Sequence, residues 1–158
     1  MKNTFKRSGA ALISLVLLLV LAVSAGAASS QNVGVKFWKE RSDKESMANS
    51  GIDPDRTATL TRQANGTYTL TLPVMQVSKL GVTGYLSGLT IGDVTYDGTL
   101  TGDFNKVTAV LTIKNLPASV LTGSDVNKSV LVTCNIQMDL QVLGEINTSA
   151  RMCIWNQK

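Results

Sequence analysis

The sequence predicts an all-β domain, an antiparallel sandwich or barrel of about eight short strands with one short helical turn. Three observations carry that reading. Val132, Cys134, Ile136, Met138, Leu140 and Val142 occupy alternate positions, with Thr133, Asn135, Gln137, Asp139 and Gln141 between them. This period of two belongs to a half-buried strand. Asn65-Gly66 stands between two alternating runs, and Asn-Gly is the strongest short-range hairpin signal. Gly, Pro, Asn and Asp recur between the remaining Val- and Thr-rich segments, and no long helical pattern occurs.

In chain order, residues 33–38 open as a strand. Residues 43–52 are small and polar and suit one helical turn, with Ser42 or Asp43 as its cap. Asp53-Pro54 ends the turn, because proline disfavours helix in the residue before it. Residues 57–62 and 67–72 form the Asn65-Gly66 hairpin. Tyr68, Leu70 and Leu72 share one face and Thr67, Thr69 and Thr71 the other. Pro73 suits a strand end, since it has no N–H for a ladder bond. Residues 82–89, 90–96 and 107–113 read as three more strands, punctuated by Asp97-Gly98 and by residues 102–106. Residues 116–128 connect to the long alternating strand. Leu143-Gly144 makes the next turn, and residues 148–155 return as the last strand.

The chain has 158 residues, enough for one domain. Lys2, Lys6 and Arg7 head an apolar run over residues 10–23, and Ala25-Gly26-Ala27 follows. That order is a cleavable secretory signal over residues 1–27, leaving a single domain over residues 28–158. An apolar run of about 14 residues is shorter than the roughly 20 that span a bilayer. Membrane contact is therefore expected only through this segment, and only if it stays uncleaved. The expected location is secreted or at the cell surface.

Charge excludes one class of partner. The net charge of +4 comes from 15 basic and 11 acidic residues, and three of the basic ones lie in the signal. The rest has 12 against 11, a net of +1. The aromatics are scattered, with no basic–aromatic stripe, so nucleic acid is not an expected partner.

Catalytic content is equally thin. The chain contains no histidine, which removes the usual general base and the commonest metal ligand. There is no Ser–His or Cys–His pair and no phosphate loop, so the chain does not read as an enzyme. Asp53, Asp55, Asp93 and Asp97 lack the dense oxygen spacing of a calcium loop, and no metal site is expected. The acceptor patterns at Asn65, Asn127 and Asn147 arise easily in a chain rich in Ser and Thr, and carry no assigned function.

Several segments, taken in order, resemble the NEAT (near-iron-transporter) domain family of bacterial surface haem uptake. Val35-Lys36-Phe37-Trp38 leads into Lys44-Glu45-Ser46-Met47-Ala48-Asn49-Ser50, where the family has a short helix. The hairpin of residues 57–61 and 65–72, the strand Thr108-Ala109-Val110-Leu111-Thr112-Ile113-Lys114-Asn115-Leu116 and the final Ser149-Ala150-Arg151-Met152-Cys153-Ile154 match in order. The resemblance implies an immunoglobulin-like antiparallel β-sandwich. It also implies haem or a haem-carrying protein as partner, in iron acquisition. In haem-binding members the pocket lies between the short helix and the last hairpin, with a Tyr on the final strand as iron ligand and a supporting Tyr four residues away. This chain has Gly144 and Thr148 at those two places, so what it resembles is a divergent member lacking the Tyr pair. That departure supports a second class, a haem-independent β-sandwich binding another surface protein or a glycan, or serving a structural role at the cell envelope.

Ser46 and Met47 are then the candidate cofactor-binding residues. Met47 offers a thioether over the haem face, or simply packs its turn onto the sheet. Ser46 hydrogen-bonds a bound group, or caps its own turn. Met138 lies on the apolar stripe and reads as core. Tyr85 and Tyr96 could offer a phenolate, and Tyr85, between Gly84 and Leu86, is expected to be buried with one hydroxyl hydrogen bond. Cys134 and Cys153 are the only cysteines, and an exported chain with two cysteines suggests one disulfide. A turn centred on residues 143–144 places residue 134 opposite residue 153. The apolar stripe, which groups Ala150, Met152 and Ile154 with the even-numbered face, instead favours a shift that separates the two thiols.

Overall fold

The computed structural model describes residues 28–79, 81–139 and 144–158. The expected signal and its cleavage point lie outside these residues, as do Leu140, Val142 and Leu143. The described part is all-β, with helical structure limited to short 3₁₀ turns. No helix among the described residues is long and apolar enough to cross a membrane.

The strands are β1 (Ser29–Lys39), β2 (Ala58–Arg62), β3 (Tyr68–Pro73), β4 (Val77–Lys79), β5 (Val82–Ile91), β6 (Val94–Thr101), β7 (Val110–Leu116), β8 (Val130–Met138) and β9 (Glu145–Asn156). Their order is β4-β5-β6-β7-β3-β2-β1-β9-β8, and β8 pairs back onto β5. Every pairing is antiparallel. The sheet therefore closes on itself as a flattened ring, which removes most of its free edges. β5 is the junction. Along one edge it pairs first with β4, at Val77↔Gly84, and then with β6, at Gly88↔Asp97. Along the other edge it follows β8 from Gly84↔Met138 to Thr90↔Thr133. The register slips between Leu86 and Gly88, and a bulge of this kind bends the strand between the two layers.

The core lies between those layers. Phe37, Leu60, Leu70, Leu72, Leu89, Leu111, Ile113, Met152 and Ile154 are fully buried. Each contributes about 1.5–3 kcal/mol relative to exposure. In β3, Leu70 and Leu72 point inward and Thr69 and Thr71 remain half-exposed, as the alternation predicts. The Asn65-Gly66 hairpin forms with a three-residue loop. Gly66 N donates to Gln63 O at 3.0 Å, Gln63 N donates to Thr67 O at 2.8 Å, and Gly66 takes φ +83°. This is a type I turn closed by a left-handed glycine.

Other boundaries differ from expectation for physical reasons. The helical turn is a 3₁₀ turn, Met47–Gly51, and its cap is Ser46 rather than Ser42 or Asp43. Those two are engaged elsewhere: Arg151 donates to Ser42 O at 2.9 Å and to the Asp43 carboxylate at 2.7 Å. The hairpin after β5 turns at Gly92-Asp93, between Ile91 and Val94. Asp97-Gly98 lies inside β6 and makes no turn. A Cβ on Gly98 would stand 2.4 Å from Leu111 Cδ1, so this glycine is there for close approach of β7. β7 begins at Val110, not residue 107, and the connection before β8 holds two further 3₁₀ turns, Ala118–Val120 and Val126–Lys128.

The cysteines are both free and buried. The ladder sets Cys134 opposite Thr148, five residues from the register that would face it to Cys153. Directly opposed residues share a face, so Ala150, Met152 and Cys134 point one way and Cys153 the other. Cys153 Sγ instead donates to Asp125 O at 3.6 Å. The apolar stripe, and not the cysteine pair, marks the register.

Candidate functional site

The 3₁₀ turn is fastened at both ends, which sets one wall of a groove. Past Val33, β1 no longer has β2 beside it, and its backbone groups need other partners. Asn49 supplies them: its Oδ1 accepts from Phe37 N at 2.8 Å, and its Nδ2 donates to Phe37 O at 2.7 Å. Ser46 Oγ accepts from Ala48 N at 3.3 Å, and Ser46 is 7% exposed. At the far end, Met75 N donates to Gly51 O at 2.9 Å. The turn is thus held on β1 and on the segment after β3, with Met47 and Ala48 facing an apolar groove.

The opposite wall comes from the last hairpin and the floor from β5. Ile136 and Met138 of β8, Thr148 of β9, Val82, Gly84, Tyr85 and Leu86 of β5 and Val77 of β4 line it. No charged residue does. The groove encloses about 210 Å³, less than the roughly 300–1,000 Å³ of a site that surrounds a drug-sized ligand. A flat macrocycle would enter by one edge, with the rest held against the walls. Gly84 lies directly opposite Met138. A Cβ there would meet Met138 Sδ at 2.8 Å and Gln137 O at 2.9 Å. The glycine leaves room for the thioether to lie across the floor.

The structure gathers some of the candidate residues and separates others. Met47 is 56% exposed at the lip of the groove and is not packed into the core. Met138, expected as core, is half-buried in the groove wall. Tyr85 reaches the rim, its ring tilted against Phe104 at 5.3 Å between centroids. Tyr96 packs against the core away from the groove. Ser46 sits beneath the turn as its cap. Cys134 and Cys153 are buried outside the groove, and burial pushes the Cys134 thiol up to about 12. Thr148, one of the two residues that the resemblance sets at the phenol positions, lines the groove. The roles of Met138 and Gly84 were not read from the sequence. The one available signal was a glycine inside a strand run, which marks close approach of a neighbour.

A second, more polar cleft of about 170 Å³ lies by Asp53, Arg56, Trp155 and Gln157. Among the described residues, no group of three or more His, Cys, Asp or Glu is placed to hold a metal ion.

No family model matches the sequence, and no curated protein matches it. Among solved structures, the chain is similar to the NEAT5 domain of IsdX2, a B. anthracis hemophore in complex with heme. The TM-score is 0.53 at 10% identity, over 84% of this chain and 99% of that one. A point mutant of the same IsdX2 domain, also in complex with heme, matches with the same TM-score and identity, over 84% of this chain and 98% of that one. The fold of this chain is NEAT-like.

Proposed function

We propose that this protein is an exported or surface-held binding module, not an enzyme, and that its ligand is haem, taken up in the groove between the 3₁₀ turn and the last hairpin. The observation that carries the reading is the placement of that groove. It is an apolar concavity with no charged residue in its lining, it lies where the NEAT resemblance expects the haem pocket, and similar solved domains hold heme. The residues present fit a porphyrin: the lining is mostly apolar and uncharged, and among the described residues the iron-ligating atoms it offers are the thioethers of Met47 and Met138 and the phenol of Tyr85. Bound haem would supply a redox-active iron centre, and Met47 at the lip of the groove is the residue placed to hold it. A cleavable signal over residues 1–27 accounts for export.

Gly144 and Thr148 cannot provide a phenolate, and neutral thioethers stabilise ferrous iron better than ferric. The expected behaviour is weak or no binding of ferric haemin and clear binding after reduction, followed by absorbance on the purified protein. Met47→Ala should abolish the difference between the two oxidation states. Absence of binding in both states would instead favour a haem-independent module for a surface protein or glycan, the reading that the missing Tyr pair supports. Tight ferric binding that survives Met47→Ala would remove Met47 from the site and turn attention to Tyr85.

A further inference from the structure

We propose that the polar cleft by Trp155 and Arg56 is a second binding site, for a single uncharged sugar ring of the N-acetylated kind. Among the described residues none lines both this cleft and the apolar groove, and nothing in the cleft depends on haem. Three features lead here.

The first is an open rung on the edge of a strand. Gln157 N donates to Asn32 O at 2.9 Å. The backbone groups of the even-numbered residues of β1 therefore face β9, and those of the odd-numbered residues face the other way. Val33 stands opposite Ala58, in the last pair with β2. Phe37 N and O are taken by the Asn49 side chain, and Lys39 N donates to Lys44 O at 2.8 Å. Val35, between them, has no strand beside it on this edge among the described residues, and it lines the cleft. Its N–H and C=O still need partners. The opening is one residue wide, closed by β2 at one end and by Asn49 at the other. An added peptide strand needs several rungs in succession, so this edge does not suit one.

The second feature is an aromatic wall. Gly34 is directly opposite Trp155, and a Cβ on it would stand 2.3 Å from Trp155 Cε2 and Cζ2. The indole therefore lies across Gly34 and reaches the cleft, half-buried. The third feature is charge. Asp53 and Arg56 are the charged residues of the lining, and they neutralise each other in an ion pair at 2.7 Å. Neither an anion nor a cation meets an excess of opposite charge there. Arg56 uses Nε on Asp53 and Nη2 on Ala109 O. A guanidinium carries five N–H donors, so Nη1 remains for a ligand. The exposed Gln157 adds a side-chain amide.

Together these features select the ligand. An indole beside a few convergent, uncharged polar partners suits a sugar: the C–H face of the ring packs on the aromatic surface, and the hydroxyls take the hydrogen bonds. The open rung adds a preference for an amide. An acetamido group brings one N–H and one C=O, the kinds of partner that a neighbouring strand would have offered Val35. The cleft encloses about 170 Å³, less than the roughly 300–1,000 Å³ of a site for a drug-sized ligand, which limits the occupant to one ring.

The test is amide shift mapping of the isotope-labelled protein titrated with N-acetylglucosamine, and with glucose as the similar ring without the acetamide. The expected result is saturable shifts at the Val35 N–H, the Trp155 indole and the Gln157 side chain, with residues 47–51 and 136–138 unmoved. Glucose should bind about tenfold more weakly, the scale of one lost hydrogen bond. Trp155→Leu should weaken N-acetylglucosamine about tenfold or more, as when an aromatic anchor is cut from an interface. Far-UV circular dichroism checks that the variant is folded. Gln157→Ala, at an exposed position, is the second variant and should also weaken binding. The absence of saturable shifts with N-acetylglucosamine would overturn the proposal. So would glucose bound as tightly, or folded variants that keep the parent's affinity. Each of these outcomes is read without haem, so the failure of one reading leaves the other standing.

Discussion

Asp53 is 2% exposed and its carboxylate is fully engaged. Arg56 Nε donates to Oδ2 at 2.7 Å, the Asp55 N–H donates to Oδ1 at 3.0 Å, and Arg56 Nη2 continues to Ala109 O at 2.6 Å. The Arg56 hydrogen bond holds the Asp53 carboxyl below the usual range, against the opposing effect of burial. An acid depressed by folding contributes stability that is fully present above its unfolded value, roughly pH 3.9. That contribution is lost as pH falls through the folded value. Asp53→Asn should therefore lower the urea midpoint at neutral pH by an amount equivalent to about 1–3 kcal/mol. The gap between variant and parent should narrow as the pH is taken below about 3.9. Urea unfolding at the two pH values checks this, and a gap independent of pH would remove the ion pair from the account. At this scale the sequence was least informative. The residues on either side of Pro54 were visible, but the pairing of Asp53 with Arg56 depends on a backbone carbonyl 53 positions further on. Met138 alternates with core residues and looked like one. It faces a groove because the 3₁₀ turn stands off from β8, and only the three-dimensional structure shows that.

At the scale of elements, the long period-two strand and the Asn65-Gly66 hairpin were legible, since one buried face and one left-handed glycine suffice to specify them. β4 was not, because three residues, Val77–Lys79, are too few to display a period. The end of β6 was misread for a related reason. Asp-Gly commonly marks a turn, but the glycine at position 98 answers to packing. Its missing side chain accommodates Leu111 of β7 and the Ser87 carbonyl at the β5 bulge, at 2.4 and 2.7 Å from where a Cβ would stand. Gly98→Ala is expected to destabilise the domain by about 1–3 kcal/mol, the usual cost of overpacking a core. Thermal or urea unfolding measures it. An alanine variant as stable as the parent would mean that β6 and β7 can separate without loss, contrary to the packing seen.

At the scale of the whole molecule, period two and turn spacing predict an antiparallel sandwich or barrel, and the ring of strands closing through β5 and β8 is of that kind. What periodicity could not supply is the closure itself. It depends on one strand serving three neighbours, with a bulge where it passes from one layer to the other. The same closure makes the groove, because β5 forms its floor, β8 and β9 one wall, and the 3₁₀ turn beyond β1 the other. The central claim is that this groove is where a porphyrin binds. Amide shift mapping of the isotope-labelled protein with zinc protoporphyrin, a diamagnetic porphyrin with an uncharged core, tests it most directly. The expected result is saturable shifts confined to residues 47–51, 82–86, 136–138 and 148. Shifts centred on the second cleft near Arg56 and Trp155, or no shifts at saturating porphyrin, would contradict it.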